Sequence, residues 1–146
     1  MDNNYIFDFF KPIPNYNGYY ISEHGKVYCD LGRGNRRNGK IVDLYEIKPR
    51  YTKTGYTRVY MRNSITNKRN DKYIHRLVAE NFISNTENKK YVNHKDCIRD
   101  NNCVCNLEWV TCKENTDHTY NNNHIIRDKN GRYKSNFNYN IERNNI

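Results

Sequence analysis

Residues 91–120, YVNHKDCIRDNNCVCNLEWVTCKENTDHTY, constrain the fold more than any other stretch of the chain. They open on a short apolar run that ends in a histidine, Tyr91-Val92-Asn93-His94, and pass into a polar loop rich in Asp and Asn. A second strand-like run, Leu107-Glu108-Trp109-Val110, leads into Thr111-Cys112-Lys113-Glu114. That tetrad has the form of a capping box, in which Thr111 and Glu114 satisfy each other's free backbone N–H groups at a helix start. The order is strand, loop, strand, helix. A helix laid across such a hairpin brings residues of the first strand and of its own first turns to one place. Asn93 and His94 are neighbours on the strand, so their side chains point to opposite sides unless the strand bends.

The rest of the chain sets the class of partner. Its 146 residues allow one ordinary domain or two small modules. Lys and Arg number 25 against 16 Asp and Glu, a formal net charge of +9, which favours a polyanionic partner because each neutralised phosphate releases counterions. Charge alone does not separate DNA from RNA or an acidic membrane surface. The longest apolar runs fall well short of a membrane span. The first residues, MDNNYIFDFF, lack a basic stretch followed by an apolar one, so the expected location is cytoplasmic. Cys29, Cys97, Cys103, Cys105 and Cys112 are odd in number and contain no C-x2-C pair, so small thiols are favoured over a disulfide framework or structural zinc.

Upstream, residues 10–28 read FKPIPNYNGYYISEHGKVY, with turn signals at Asn17-Gly18 and Gly25 around two short strands. Residues 29–40, CDLGRGNRRNGK, form a basic loop in which Arg33, Arg36, Arg37 and Lys40 are candidate phosphate contacts, a solvated loop being the alternative. Residues 55–62, GYTRVYMR, alternate as a strand with Thr57 or Arg58 on the open face; Arg58 and Arg62 join the candidate contacts. Lys72-Tyr73-Ile74 begins a partner strand, and HRLVAENFI follows with the apolar spacing of a helix, Leu77, Val78 and Phe82 facing the core. His75 and Arg76 open that helix; His75 reads either as a DNA contact or as a hydrogen-bonding residue within the fold. After residue 120, Asn130-Gly131 signals a hairpin between Ile125-Ile126-Arg127 and Tyr133-Lys134-Ser135.

Taken together, V-N-H-K-D, N-N, N-L-E-W-V-T and E-N, preceded by HRLVAENF, resemble the HNH nuclease motif in its phage and intron-encoded homing form. Residues 10–28 are similar to the nuclease-associated modular domain that often precedes such a unit, with Phe10 where Trp is usual and Ile21 where Val is usual. The resemblance implies an α+β chain: a β-rich module over 1–65, a ββα-metal nuclease unit over 66–120, and a basic hairpin or tail over 121–146. It implies a hydrolase that cuts phosphodiester bonds of double-stranded DNA, leaving 5′-phosphate and 3′-hydroxyl ends, with one Mg2+ or Mn2+ per site and no small-molecule cofactor. Monomer and dimer both stay open.

Phosphodiester hydrolysis needs a deprotonated water and a cation to neutralise the phosphate and the departing oxygen. His94 is the candidate general base, since an imidazole titrates near neutral pH. Asn106 lies twelve residues on (106 − 94 = 12), and in the family this Asn orients the histidine. The resemblance places the metal between Asn93 and Asn115, an H-N-N variant. The family commonly has Asp before the histidine, and Asn93 brings no charge, so metal binding is expected to be weak without phosphate oxygens. Asp96 is a rival ligand or a turn former. Lys95 and His118 are candidate DNA contacts, His118 also a possible further ligand. Cys97 stands where related loops have Gly. The alternative to the enzyme is a DNA-binding protein of the same fold with weakened or lost catalysis.

Overall fold

The structure, a computed structural model, describes residues 9–30 and 44–121 and the backbone of 125–127 and 133–135. Arg33, Arg36, Arg37, Lys40 and the Asn130-Gly131 turn lie outside the described residues. The architecture is α+β. A four-stranded antiparallel sheet runs in the order β1 (Phe10–Pro12), β2 (Tyr19–Ser22), β3 (Val27–Asp30), β4 (Leu44–Ile47). Gly18 and Gly25 make its turns with φ of 80° and 77°, the left-handed region that glycine enters without a steric penalty.

A three-stranded sheet follows, β5 (Arg50–Tyr51), β6 (Thr57–Arg62) and β7 (Arg69–Tyr73). Thr57, Val59 and Met61 of β6 turn inward, while Arg58, Tyr60 and Arg62 share the opposite face. The strand thus buries Thr57 and leaves the two arginines outside. Position 65 sits in the β6–β7 turn.

Helix α1 (Ile74–Phe82) leaves β7 directly. Tyr73 gives it no side-chain cap, so packing must hold it. Leu77 and Val78 meet Ile21, Val27, Val59, Met61 and Leu107 in one core, each full burial contributing about 1.5–3 kcal/mol. That core draws on both the four-stranded sheet and the elements after residue 65.

The focal segment takes the expected order: β8 (Tyr91–His94), β9 (Leu107–Val110) and α2 (Cys112–Asn121). The capping box is formed, with Thr111 N–H donating to Glu114 Oε2 at 2.7 Å and Glu114 N–H to Thr111 Oγ1 at 3.2 Å. In the tail, β10 (Ile125–Arg127) pairs antiparallel with β11 (Tyr133–Ser135).

Candidate active site

The register of the hairpin fixes what each face carries. Asn93 stands opposite Glu108, His94 opposite Leu107, and Val92 opposite Trp109. Opposed residues of an antiparallel pair point to the same side, so Val92, His94, Leu107 and Trp109 share one face and Asn93 and Glu108 the other. The first face meets α1: Leu107 lies in the core, and Trp109 Nε1 donates to Ile83 O at 3.1 Å. Helix α2 also packs on both strands, which leaves it the Asn93–Glu108 face.

His94 is 5% exposed and packs against His75 and Tyr56, ring centroids 5.3 and 6.0 Å away. Its Nε2 lies 3.3 Å from Asn102 Oδ1. The orientation of the Asn102 amide is decided by its other contacts. Its Nδ2 lies 3.0 Å from the carbonyl of Asp100, which can only accept, and 2.8 Å from Thr57 Oγ1. The oxygen end therefore faces His94, Nε2 carries the proton, and Nδ1 keeps its lone pair. No described residue bonds Nδ1 and it is not a buried orphan, so it is open to a water or substrate. Burial lowers the pKa of His94; the Asn102 bond and the charge of Asp96 oppose that shift without cancelling it. The ring is held in one tautomer, and burial favours its neutral form.

Asn106 does a different job from the expected one. Its Nδ2 donates to Asp96 Oδ1 and to Asn101 O, both at 2.8 Å, and its Oδ1 accepts from Asp96 N–H at 3.1 Å. It braces the loop between β8 and β9, and the ring partner of His94 is Asn102. The correction is physical: a 3₁₀ turn at Val104–Asn106 points the Asn106 amide into the loop. Asp96 is the hub of that loop, accepting also from Ile98 N–H at 2.8 Å and Asn101 Nδ2 at 2.6 Å. Burial pushes its carboxyl up, but the bonds from Ile98, Asn101 and Asn106 outweigh this and hold it below the ordinary range. Its oxygens are spent on turn formation. Cys97, in the same loop, takes φ of 62° in the region glycine favours.

Asn93 Nδ2 donates to Glu108 Oε1 at 2.8 Å, which leaves Oδ1 as the end able to hold a cation. Asn115 lies in the first turns of α2 and is half-buried. His118 shares its helix face at i+3. It reaches back to the loop, Nε2 lying 3.2 Å from Lys95 O and Nδ1 3.8 Å from Cys97 Sγ. Among the described residues no group of three or more His, Cys, Asp or Glu forms a ready metal cage. Asn93 and Asn115 offer hard but uncharged oxygen donors, so a divalent cation there would rely on water and substrate phosphate oxygens for the rest of its shell.

The other candidate DNA contacts are engaged to different degrees. Arg58 pairs with Asp71 at 3.1 Å, and Arg62 Nη1 donates to Asn67 Oδ1 at 3.0 Å. Arg76 bonds Lys90 O at 3.2 Å and lies over the Trp109 ring. Lys95 is exposed, its Nζ on Cys105 O at 3.0 Å. His75 is only 9% exposed, with Nδ1 buried and unpaired. Burial first, then the neighbouring His94 and Arg76, lowers its pKa to about 3. It belongs to the inner packing. Sequence reasoning missed Asn102, Thr57 and Glu108 in this site; the last follows from register once His94 is placed opposite Leu107.

Residues 72–117 match the family described as HNH endonuclease. The matched segment, from β7 into α2, is similar to an HNH endonuclease unit. Two uncharacterized HNH endonucleases of Acanthamoeba polyphaga mimivirus are 37% and 35% identical over 107 and 120 residues, 73% and 81% of this chain. DNA endonuclease I-HmuI of Bacillus phage SP01 is 35% identical over 108 residues, 73% of this chain. The chain spans only 28%, 27% and 55% of the lengths of these three relatives. A solved structure titled for DNA binding and cleavage by the HNH homing endonuclease I-HmuI superposes with a TM-score of 0.63 at 28% identity, covering 86% of this chain and 76% of that one. HNH nucleases generally use a divalent metal. No described helix is long and apolar enough to cross a membrane.

Proposed function

We propose that the chain is a metal-dependent endonuclease of homing type that hydrolyses phosphodiester bonds of double-stranded DNA inside the cell. The tautomer lock on His94 carries this reading. With Nε2–H held by Asn102, His94 Nδ1 takes a proton from water as the water oxygen attacks phosphorus. The bond from phosphorus to the 3′ oxygen breaks, the departing oxygen takes a proton from a solvent water, and 5′-phosphate and 3′-hydroxyl ends remain. Asn93 and Asn115 present amide oxygens to the metal. When bound, the divalent ion offsets charge on the phosphate and the departing oxygen. Lys95, the arginines and the +9 balance supply phosphate contacts.

The test is plasmid cleavage with Mg2+ or Mn2+, alongside His94→Ala and a chelator. Loss of the base should slow cutting roughly 100- to 10,000-fold, and chelation should stop it. Cutting that persists in His94→Ala overturns the base assignment. A second reading, a DNA-binding protein with lost catalysis, is favoured by the missing carboxylate at Asn93. Retained duplex binding without cleavage under any divalent ion would establish that one instead.

A further inference from the structure

We propose that Glu108 supplies the carboxylate ligand that residue 93 lacks, so that the metal site is a cross-strand pair and not a single-strand one. The proposal rests on the nuclease reading and deepens its metal site. Asn93 and Asn115 are both neutral, whereas hard divalent cations are held through at least one carboxylate. Glu108 faces Asn93 directly across the hairpin, on the side covered by α2.

The bond between them also orients both groups. Asn93 spends its Nδ2 on Glu108 Oε1 at 2.8 Å, so its Oδ1 is the free oxygen beside the carboxylate. A carboxylate offers about four lone-pair sites, and this bond uses one. Amide oxygen and carboxylate thus converge on one face.

Two other acidic groups nearby, Asp96 and Glu114, are occupied. Asp96 accepts three side-chain or backbone bonds within the loop. Glu114 closes the capping box and pairs with Lys89 at 3.1 Å. Glu108 is half-buried, and among the described residues no Lys, Arg or His forms an ion pair with it.

The discriminating variant is Glu108→Gln, because Gln keeps a carbonyl oxygen to accept from Asn93 and removes only the charge. Mn2+ binding to the free protein is followed by loss of the free-ion electron paramagnetic resonance signal. Glu108→Gln should weaken binding about tenfold or more, the scale on which the surroundings of a bound metal act. Asn93→Asp in the Glu108→Gln background should restore it, by returning a carboxylate to the first strand. Equal Mn2+ binding by wild type and Glu108→Gln overturns the proposal, as does a wild type that binds no Mn2+ at millimolar concentrations. DNA cleavage that depends on His94 would then leave the nuclease reading standing without Glu108. Conversely, charge-dependent Mn2+ binding in a protein that cuts no DNA keeps Glu108 as a ligand and removes the nuclease reading.

Discussion

On the α1 side of the hairpin, His94 sits among rings and amides: His75, Tyr56 and Asn102. On the α2 side, one residue away in sequence, Asn93 shares its face with the carboxylate of Glu108. The first environment is largely closed and its nearest titratable neighbour is neutral; the second holds formal charge. A proton acceptor needs an uncharged nitrogen, whereas a cation site needs negative oxygen. Under the proposed function consecutive residues supply both, with His94 the last residue of β8, where the chain leaves the strand for the loop. A charged group on the α1 face would shift the base, and an apolar α2 face would have nothing to hold a metal.

The neutrality of the α1 face is tested most strongly through His75. Its folded pKa is about 3 against an ordinary value of 6.5, so the unfolded chain binds more protons between these limits. Stability is therefore complete above about pH 6.5 and falls as the pH drops toward 3, by up to about 1.4 kcal/mol per unit. His75→Phe keeps a ring in place and removes the proton site. Urea unfolding near pH 4 should show the variant more stable than wild type by roughly 3 kcal/mol, with a smaller gain near neutrality from losing an unpaired buried nitrogen. Equal acid sensitivity in the two proteins would mean that His75 is protonated in the fold.

Next in size is the tautomer lock. Asn102→Ala should slow cleavage by roughly one to two orders of magnitude, within the range a positioned proton acceptor contributes. Asn102→Asp distinguishes a lock from a mere packing contact. A carboxylate beside Nε2 favours the charged ring, so the acid limb of the pH–rate profile should move to higher pH. An unshifted limb would show that residue 102 does not govern His94.

These contacts also mark where sequence reasoning reaches its limit. The strand–loop–strand–helix order was legible because the apolar runs and the Thr111–Glu114 box are local signals. The partner of His94 was not. Asn101, Asn102 and Asn106 are all near in sequence, and the choice among them depends on Thr57, 45 positions from Asn102, and on a loop whose hub is Asp96. The inward turn of Thr57 likewise depends on which face of β6 meets α1, which alternation alone leaves open. Glu108 was within reach of a register argument, since the pair next to His94 and Leu107 is fixed.

The N-terminal sheet bears on the same lock. A Cβ built at Gly25 would lie 2.7 Å from Asn102 Cβ and 3.2 Å from Asn102 O, at a φ of +77°. Gly25→Ala should cost about 2 kcal/mol, combining the left-handed strain of alanine with a displaced loop. Cleavage should fall with it, and the double variant with Asn102→Ala should be less than additive, because both act on one hydrogen bond. Additive losses would place the effect of Gly25 elsewhere than at Asn102.

The smallest effect lies in the loop that joins the two faces. Cys97 holds φ of 62°, a conformation that costs a non-glycine residue about 1 kcal/mol. Against that strain stands one weak contact, Sγ to His118 Nδ1 at 3.8 Å. Glycine relieves the strain but adds freedom to the unfolded chain, which offsets part of the gain. Cys97→Gly should therefore raise stability by about half a kcal/mol, read as a small upward shift of the unfolding midpoint, with cleavage unchanged. A lowered midpoint would show that the thiol–imidazole contact outweighs the backbone strain and that His118 helps tie α2 to the loop.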